Sequence, residues 1–441
     1  MALSLILLGG CFLTWWTQIH LPRLRSTAEQ RWTAIGRSMP EFEKKFGPIE
    51  ENESLRALTR DLEPFGVRSL YQDRQGETDP EAYGLTRQAY YFLDLTTTQD
   101  QVIEADTAAA FLNQHSEELD HLYQGILERE IPVWNFNPQD SPTRNPVSAA
   151  AVRHVTLLIC LDALHRMEQG DTKGASDAIK AGWKMTSNLG EQPVLLSFII
   201  RMEIESLLAG AMARLPNDPD TLGPLALDID ASRERWRTAA QGEAWAASHM
   251  FDYVVPTPDA SWIQWTQNSL TRLFIQRDSA LFLARVAEDV STSEQVRTLA
   301  SSNLGANLMQ DTSSESGRGR TSDWFSETWG NALYRSWARL NAVLLRREQA
   351  EIIRQVRARL KAGDTGDLGD RNSLVAPGTK WHIEGDGPSL SVSLRLQPLP
   401  AWTTDNSAFD QSIFLLPLDG SKSWSFRKRL TLSPAGRLVS K

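Results

Sequence analysis

Residues 2–16, ALSLILLGGCFLTWW, carry no charge, and the apolar run continues through Ile19 to Leu21-Pro22. A membrane-crossing helix wants about 20 such residues. This run is slightly short, but Trp15 and Trp16 suit an interfacial belt and Pro22 suits an exit. The pattern predicts a membrane anchor over 1–21. Ser26-Thr27-Ala28-Glu29 then forms a capping box opening a helix with Trp32 and Ile35, and Pro40 marks a second start. Residues 22–50 read as a juxtamembrane helical stalk. Helical periodicity continues through a domain over 51–362, with early helices expected over 52–62, 79–95 and 103–130. The prolines and Asn-Pro pairs between 132 and 146 predict an irregular connection.

The strongest helical signal follows. The stretch VSAAAVRHVTLLICLDALHRMEQ over 147–169 is apolar on nearly every side between Val155 and Leu164, as expected for a helix packed on more than one partner. Gly170-Asp171 breaks it. Ala175, Ile179 and Trp183 then mark a helix over 174–189, and a third is expected over 193–215. Such runs joined by short breaks predict stacked antiparallel hairpins. Further helices are expected over 231–253, 261–287, 294–308 and, after a polar loop at 311–323, over 322–361. A linker over 363–377 begins with GDTGDLGD. There the period changes to two: Leu390, Val392, Leu394 and Leu396 alternate with polar residues, as do Trp381 and Ile383 before the turn at Glu384-Gly385-Asp386-Gly387. With strands at 413–418 and 424–432, residues 378–441 read as a small β unit. The fold class is mainly α: stacked antiparallel hairpins, solenoid-like or an irregular bundle, with a small C-terminal antiparallel β unit.

Two resemblances attach to these residues. The Gly170-Asp171 turn followed by Ala175 and Ile179 resembles a tetratricopeptide hairpin. The likeness spans about 40 residues and occurs once, whereas an array takes about three units, so it implies hairpin packing only. The order of anchor, Arg/Trp-rich stalk from Arg31-Trp32 to Phe42, Gly-Asp hairpin, Gly242-Glu243 helix and terminal strands is similar to a diffuse group of uncharacterised bacterial membrane-anchored helical proteins. That group brings no assigned chemistry.

The address of the large domain has two readings. Arg23, Arg25, Arg31 and Arg37 follow the anchor and nothing basic precedes it, which by the positive-inside rule puts the domain in the cytoplasm. A secretory signal has a basic leading region that is missing here. Leu8-Gly9-Gly10-Cys11 resembles a bacterial lipoprotein box and makes Cys11 a lipidation candidate, although Phe12-Leu13 and two tryptophans follow where a polar tether is usual. A start placed too late would also restore export. The expectation carried forward is a periplasmic domain on a membrane anchor.

Across the 441 residues, 55 acidic side chains against 46 basic ones give a net charge of -9, which argues against wholesale attraction to nucleic acid. Only local fields count. The strongest is on the long helix, where Arg335, Arg339, Arg346, Arg347, Arg354, Arg357 and Lys361 fall on about one third of the circumference. This basic stripe is a candidate dock for a protein partner or an anionic surface; the alternative is pairing with the protein's own carboxylates. Two cysteines, Cys11 and Cys160, allow no disulfide framework, and Cys160 reads as a small buried hydrophobe.

Catalytic and metal motifs are weak. Glu118-x-x-His121 and Asp162-x-x-His165 have the carboxylate-histidine spacing of di-metal bundles, but two further inward carboxylates are not identifiable. Asp162 interrupts an apolar helix and needs a partner if buried, with His165 and Arg166 the local candidates. Glu243 is the one acid/base candidate, near Trp245, Trp262 and Trp265, with no facing carboxylate at readable spacing. Ser425-x-x-Lys428 is a chance serine-lysine match, and Asp364, Asp367 and Asp370 lack a calcium-loop order. The reading calls for no metal and no cofactor. It favours a non-catalytic scaffold or adaptor of the cell envelope, with an envelope enzyme acting on cell-wall glycan through Glu243 as the rival.

Overall fold

The computed structural model describes residues 47–71, 105–136, 147–215, 228–249, 324–361, 369–386, 391–397, 413–415, 430–432 and 438–440, with a few isolated positions. The anchor, the stalk up to residue 46, the helices expected at 79–95, 261–287 and 294–308, and the loop at 311–323 lie outside the described residues, isolated positions apart. The described residues hold eight α-helices and a small C-terminal sheet system, a mainly α architecture. In chain order the helices are α1 (Glu53–Asp61), α2 (Ala105–Gln114), α3 (Ser116–Glu128), α4 (Ala149–Glu168), α5 (Thr172–Thr186), α6 (Leu195–Arg214), α7 (Ile229–His249) and α8 (Trp324–Lys361).

Local chemistry fixes the helix ends. Asn52 caps α1 by accepting from the Leu55 amide at 3.1 Å, while its side chain also takes the Val133 amide and donates to the Ile131 carbonyl. One residue thus starts a helix and pins the 131–136 connection to it. Ser148 caps α4 and Asp171 caps α5. Between them Gly170 has φ +84°, a left-handed turn that a β-carbon would strain. The three residues of that turn make α4 and α5 antiparallel neighbours, the hairpin the break at Gly170-Asp171 predicts.

Two three-helix groups share α6: α4, α5 and α6 pack together on one side, and α6, α7 and α8 on the other. Outside the first group, α3 lies on α5, α1 on α3 and α2 on α4. This explains why α4 and α6 are buried around nearly their whole circumference. One apolar cluster runs from Leu55 and Phe65 through Leu122, Ile159 and Ile179 to Leu208 and Met212. Close approach is built in at Gly242 of α7, where an added β-carbon would sit 1.7 Å from the Pro193 carbonyl oxygen.

Strands β1 (Arg371–Asn372), β2 (Lys380–Asp386), β3 (Ser391–Gln397) and β4 (Ile413–Leu415) form an antiparallel sheet in that order, and β5 (Leu430–Leu432) pairs with β6 (Leu438–Ser440). Trp381 faces Leu396, and Ile383 faces Leu394, so the alternating apolar positions of both strands share one face. Pairing begins inside the stretch read as linker, at Arg371. A two-residue strand has no period to read. Among the described residues no helix is long and apolar enough to cross a membrane.

Candidate functional site

Three clusters of buried charge stand where the helices meet. The first surrounds Asp162 on α4, which is 2% exposed. Arg166, one helical turn on, donates from Nε to Oδ2 at 2.6 Å, and the Tyr123 hydroxyl of α3 donates to the same oxygen at 2.8 Å. Of the two local partners the sequence offers, Arg166 is the one engaged. His165 instead lies 2.9 Å from Asn113 Oδ1, beside Gln169. Arg166 also reaches Asp120 of α3 at 2.7 Å and Asp171, the α5 cap, at 3.4 Å, with its guanidinium 5.5 Å from the Tyr123 ring centre. Burial pushes the Asp162 carboxyl above its ordinary value, although Arg166 and Tyr123 pull the other way. Burial, then Asp162, drives the Tyr123 hydroxyl well up. The cluster is a brace joining α3, α4 and the start of α5.

The second cluster centres on Glu205, inside α6. Arg201 donates from Nε to Oε1 at 2.8 Å, and Arg347 of α8 donates to Oε2 at 3.0 Å. Arg347 also stands 5.2 Å from the Trp183 ring centre on α5. Glu191 links Arg201 at 3.7 Å to Arg235 of α7 at 2.6 Å. Burial pushes the Glu205 carboxyl upward, but Arg347 and Arg201 outweigh it and hold the group below its ordinary value. Nearby on α6, Glu203 pairs with Arg153 of α4, and Ser206 accepts from Arg346 of α8 at 3.0 Å. Glu203, Glu205 and Ser206 thus each take a partner from a neighbouring helix, which sets its register against α6.

The third cluster ties the β unit to α8. Glu348, 5% exposed, accepts from Ser373 Oγ at 2.6 Å, the Leu374 amide at 2.5 Å and Trp381 Nε1 at 2.9 Å. A carboxylate with three donors holds the 373–379 turn against the helix.

These contacts correct the basic stripe. Arg346, Arg347 and Arg354 are 5%, 8% and 5% exposed, so at these positions the face meets neighbouring structure rather than solvent. A helical wheel shows which residues share a face but not what lies opposite; here α6 does, and its Glu205 and Ser206 take the guanidiniums. Arg354 pairs with Glu351 at 3.2 Å. Arg339 is exposed, while the side chains of Arg335, Arg357 and Lys361 lie outside the described residues.

The remaining candidates do not converge. His121 is 72% exposed, 3.9 Å from Asp61, and Glu118 is 4.0 Å from His115, so the two carboxylate-histidine motifs do not meet. Among the described residues no group of three His, Cys, Asp or Glu is placed to hold a metal. Cys160 is buried and in no disulfide. Trp134, Trp236, Trp337 and Trp381 are buried. The side chain of Glu243, and all of Cys11, Ser425, Lys428, Asp364 and Asp367, lie outside the described residues. Sequence reasoning missed the Thr86 hydroxyl 2.8 Å from His154 Nδ1, both buried, and Lys184 of α5 donating to the Leu127 and Arg129 carbonyls at the end of α3. Neither has a readable spacing.

Comparison with protein families, with curated proteins and with solved structures finds no match, so the chain's own geometry carries the functional argument.

Proposed function

We propose that the chain is a non-catalytic scaffold or adaptor of the bacterial cell envelope, tethered by residues 1–21 with its larger part outside the cytoplasm. The observation that carries the reading is the use made of buried charge. Asp162, Glu203, Glu205 and Glu348 each sit at a junction between elements and are held by donors from the chain itself. A fold whose buried carboxylates lock helix against helix is suited to presenting a fixed surface, as stacked hairpins do. The tether rests on the uncharged run 2–16 and its two tryptophans, with lipidation at Cys11 as the other means of attachment.

The test has two arms. Full chain incubated with purified cell-wall glycan is expected to release no soluble fragments; release that disappears in Glu243→Gln would replace this reading with the glycan-acting one. An export-dependent reporter fused after residue 50 is expected to be active, and Cys11→Ala to leave membrane fractionation unchanged. An active cytoplasmic reporter would reverse the orientation.

A further inference from the structure

Arg233, on the second turn of α7, differs from the arginines that pair across the helix junctions. It is half-buried, and among the described residues it has no ion pair and one hydrogen bond, from Nη2 to the Val375 carbonyl at 3.2 Å. Its Nε is buried with no partner. Arg153, Arg166, Arg201 and Arg347 all meet a carboxylate. Burial lowers the Arg233 affinity for its proton, and Asp230 offsets this only in part while Arg237 adds to it. A guanidinium left short of negative charge in this way is a standing attraction for a carboxylate, which it can grip with two parallel bonds.

One residue from the carbonyl that Arg233 touches stands Leu374, 69% exposed. It is not on a loose loop. Its amide is held by Glu348, the preceding Ser373 hydroxyl donates to the same carboxylate, and the Ala376 amide returns to Ser373 Oγ. The turn closes with Ser373 and Thr379 bonded to one another's neighbourhood through the Thr379 and Ala376 carbonyls. A large aliphatic side chain carried on a hydrogen-bonded turn needs no backbone ordering when a partner covers it, which lowers the cost of the contact.

We propose that the 373–376 turn and the first turns of α7 form a docking site for an acidic peptide segment of a partner protein. An aliphatic side chain of the segment covers Leu374 and a neighbouring carboxylate pairs with Arg233. The inference rests on the scaffold reading and names the surface through which it works.

The probe is a capped, fluorescein-labelled hexapeptide of alternating glutamate and leucine, titrated with full chain and followed by anisotropy. Saturable binding below about 1 mM is expected, with none for the lysine-leucine counterpart. Arg233→Gln and Leu374→Ser should each weaken it about tenfold, the scale of one charge-assisted contact, with unchanged circular-dichroism spectra. Leu374→Ser changes an exposed side chain, so it reads binding even if Arg233→Gln loosens α7. Absence of binding to the unaltered chain, or binding that survives both substitutions, overturns the proposal. So does inorganic phosphate displacing the peptide equally from the unaltered chain and Leu374→Ser, which marks a bare anion site. Glycan release lost in Glu243→Gln would fell the scaffold reading itself, whereas these titrations bear on the docking site alone.

Discussion

Glu205→Leu is the sharpest perturbation of the fold. It removes the shared acceptor of Arg201 and Arg347, whose side chains are 11% and 9% exposed, and leaves two guanidiniums in a low-dielectric junction. Removing one partner of a buried pair costs about 3–5 kcal/mol. Arg201 keeps Glu191 and the Ser187 carbonyl, and Arg347 keeps the Trp183 ring, so the expected loss is at the lower end, about 3 kcal/mol. At about 2.1 cal/mol/K of unfolding entropy per residue, a 441-residue chain shifts by roughly 1 °C per kcal/mol, so the thermal midpoint should fall by about 3 °C. Urea denaturation followed by far-ultraviolet circular dichroism measures the same loss, and it should change little between low and high salt because a buried pair is weakly screened. The decisive comparison is the triple variant Arg201→Met, Glu205→Leu, Arg347→Met. It keeps apolar volume and leaves no uncompensated charge, so it should lie within about 1 kcal/mol of the parent. If the triple variant is as unstable as Glu205→Leu, the damage comes from lost attraction rather than stranded charge, and the reasoning fails. A Glu205→Leu loss below about 1 kcal/mol would mean the junction is wet.

Three other variants carry expected outcomes. Asp162 is pushed up in the folded state relative to an unfolded value near 3.9. Its contribution is therefore full below that value and lost as pH rises through the folded value, so the advantage of the parent over Asp162→Asn should shrink from about pH 3 toward neutrality. Glu205 is shifted the opposite way, and the advantage of the parent over Glu205→Gln should grow as pH rises through about 4; urea midpoints across pH 3–7 that move in parallel for both variants would contradict these assignments. Gly242→Ala sets a β-carbon against the Pro193 carbonyl, so α7 must move off the loop before α6, with an expected loss of about 1–3 kcal/mol in the same denaturation assay. A neutral or stabilising result there would show that the helix shifts freely.

The helical class and the central hairpin were legible because their signals are local. Val155 to Leu164 announces an all-round buried helix, and Gly170 with Asp171 announces the turn and the next cap, all within a few residues of one another. The β2–β3 hairpin was legible for the same reason, since alternation on each strand fixes a shared face. What escaped were contacts between distant positions: Thr86 with His154, Lys184 with the end of α3, Glu348 with the 373–379 turn. No spacing along the chain encodes them.

The arginines of α8 show where the missing information lay. Read alone, Arg346, Arg347 and Arg354 make a face that could equally meet solvent or structure. Read beside α6, the choice narrows: Arg201, Glu203 and Glu205 interrupt an apolar twenty-residue helix, and charges in such a setting require partners from other elements. Glu203 takes Arg153 and Glu205 takes Arg347, each from a different neighbour, so a one-turn slip of α8 along α6 would pull Arg347 off its carboxylate and leave Glu205 with Arg201 alone. That penalty fixes the register of two otherwise interchangeable apolar helices. It also explains why the uncompensated charge of Arg233, at the edge of the same assembly, stands out as a place where the fold leaves a partner to be supplied.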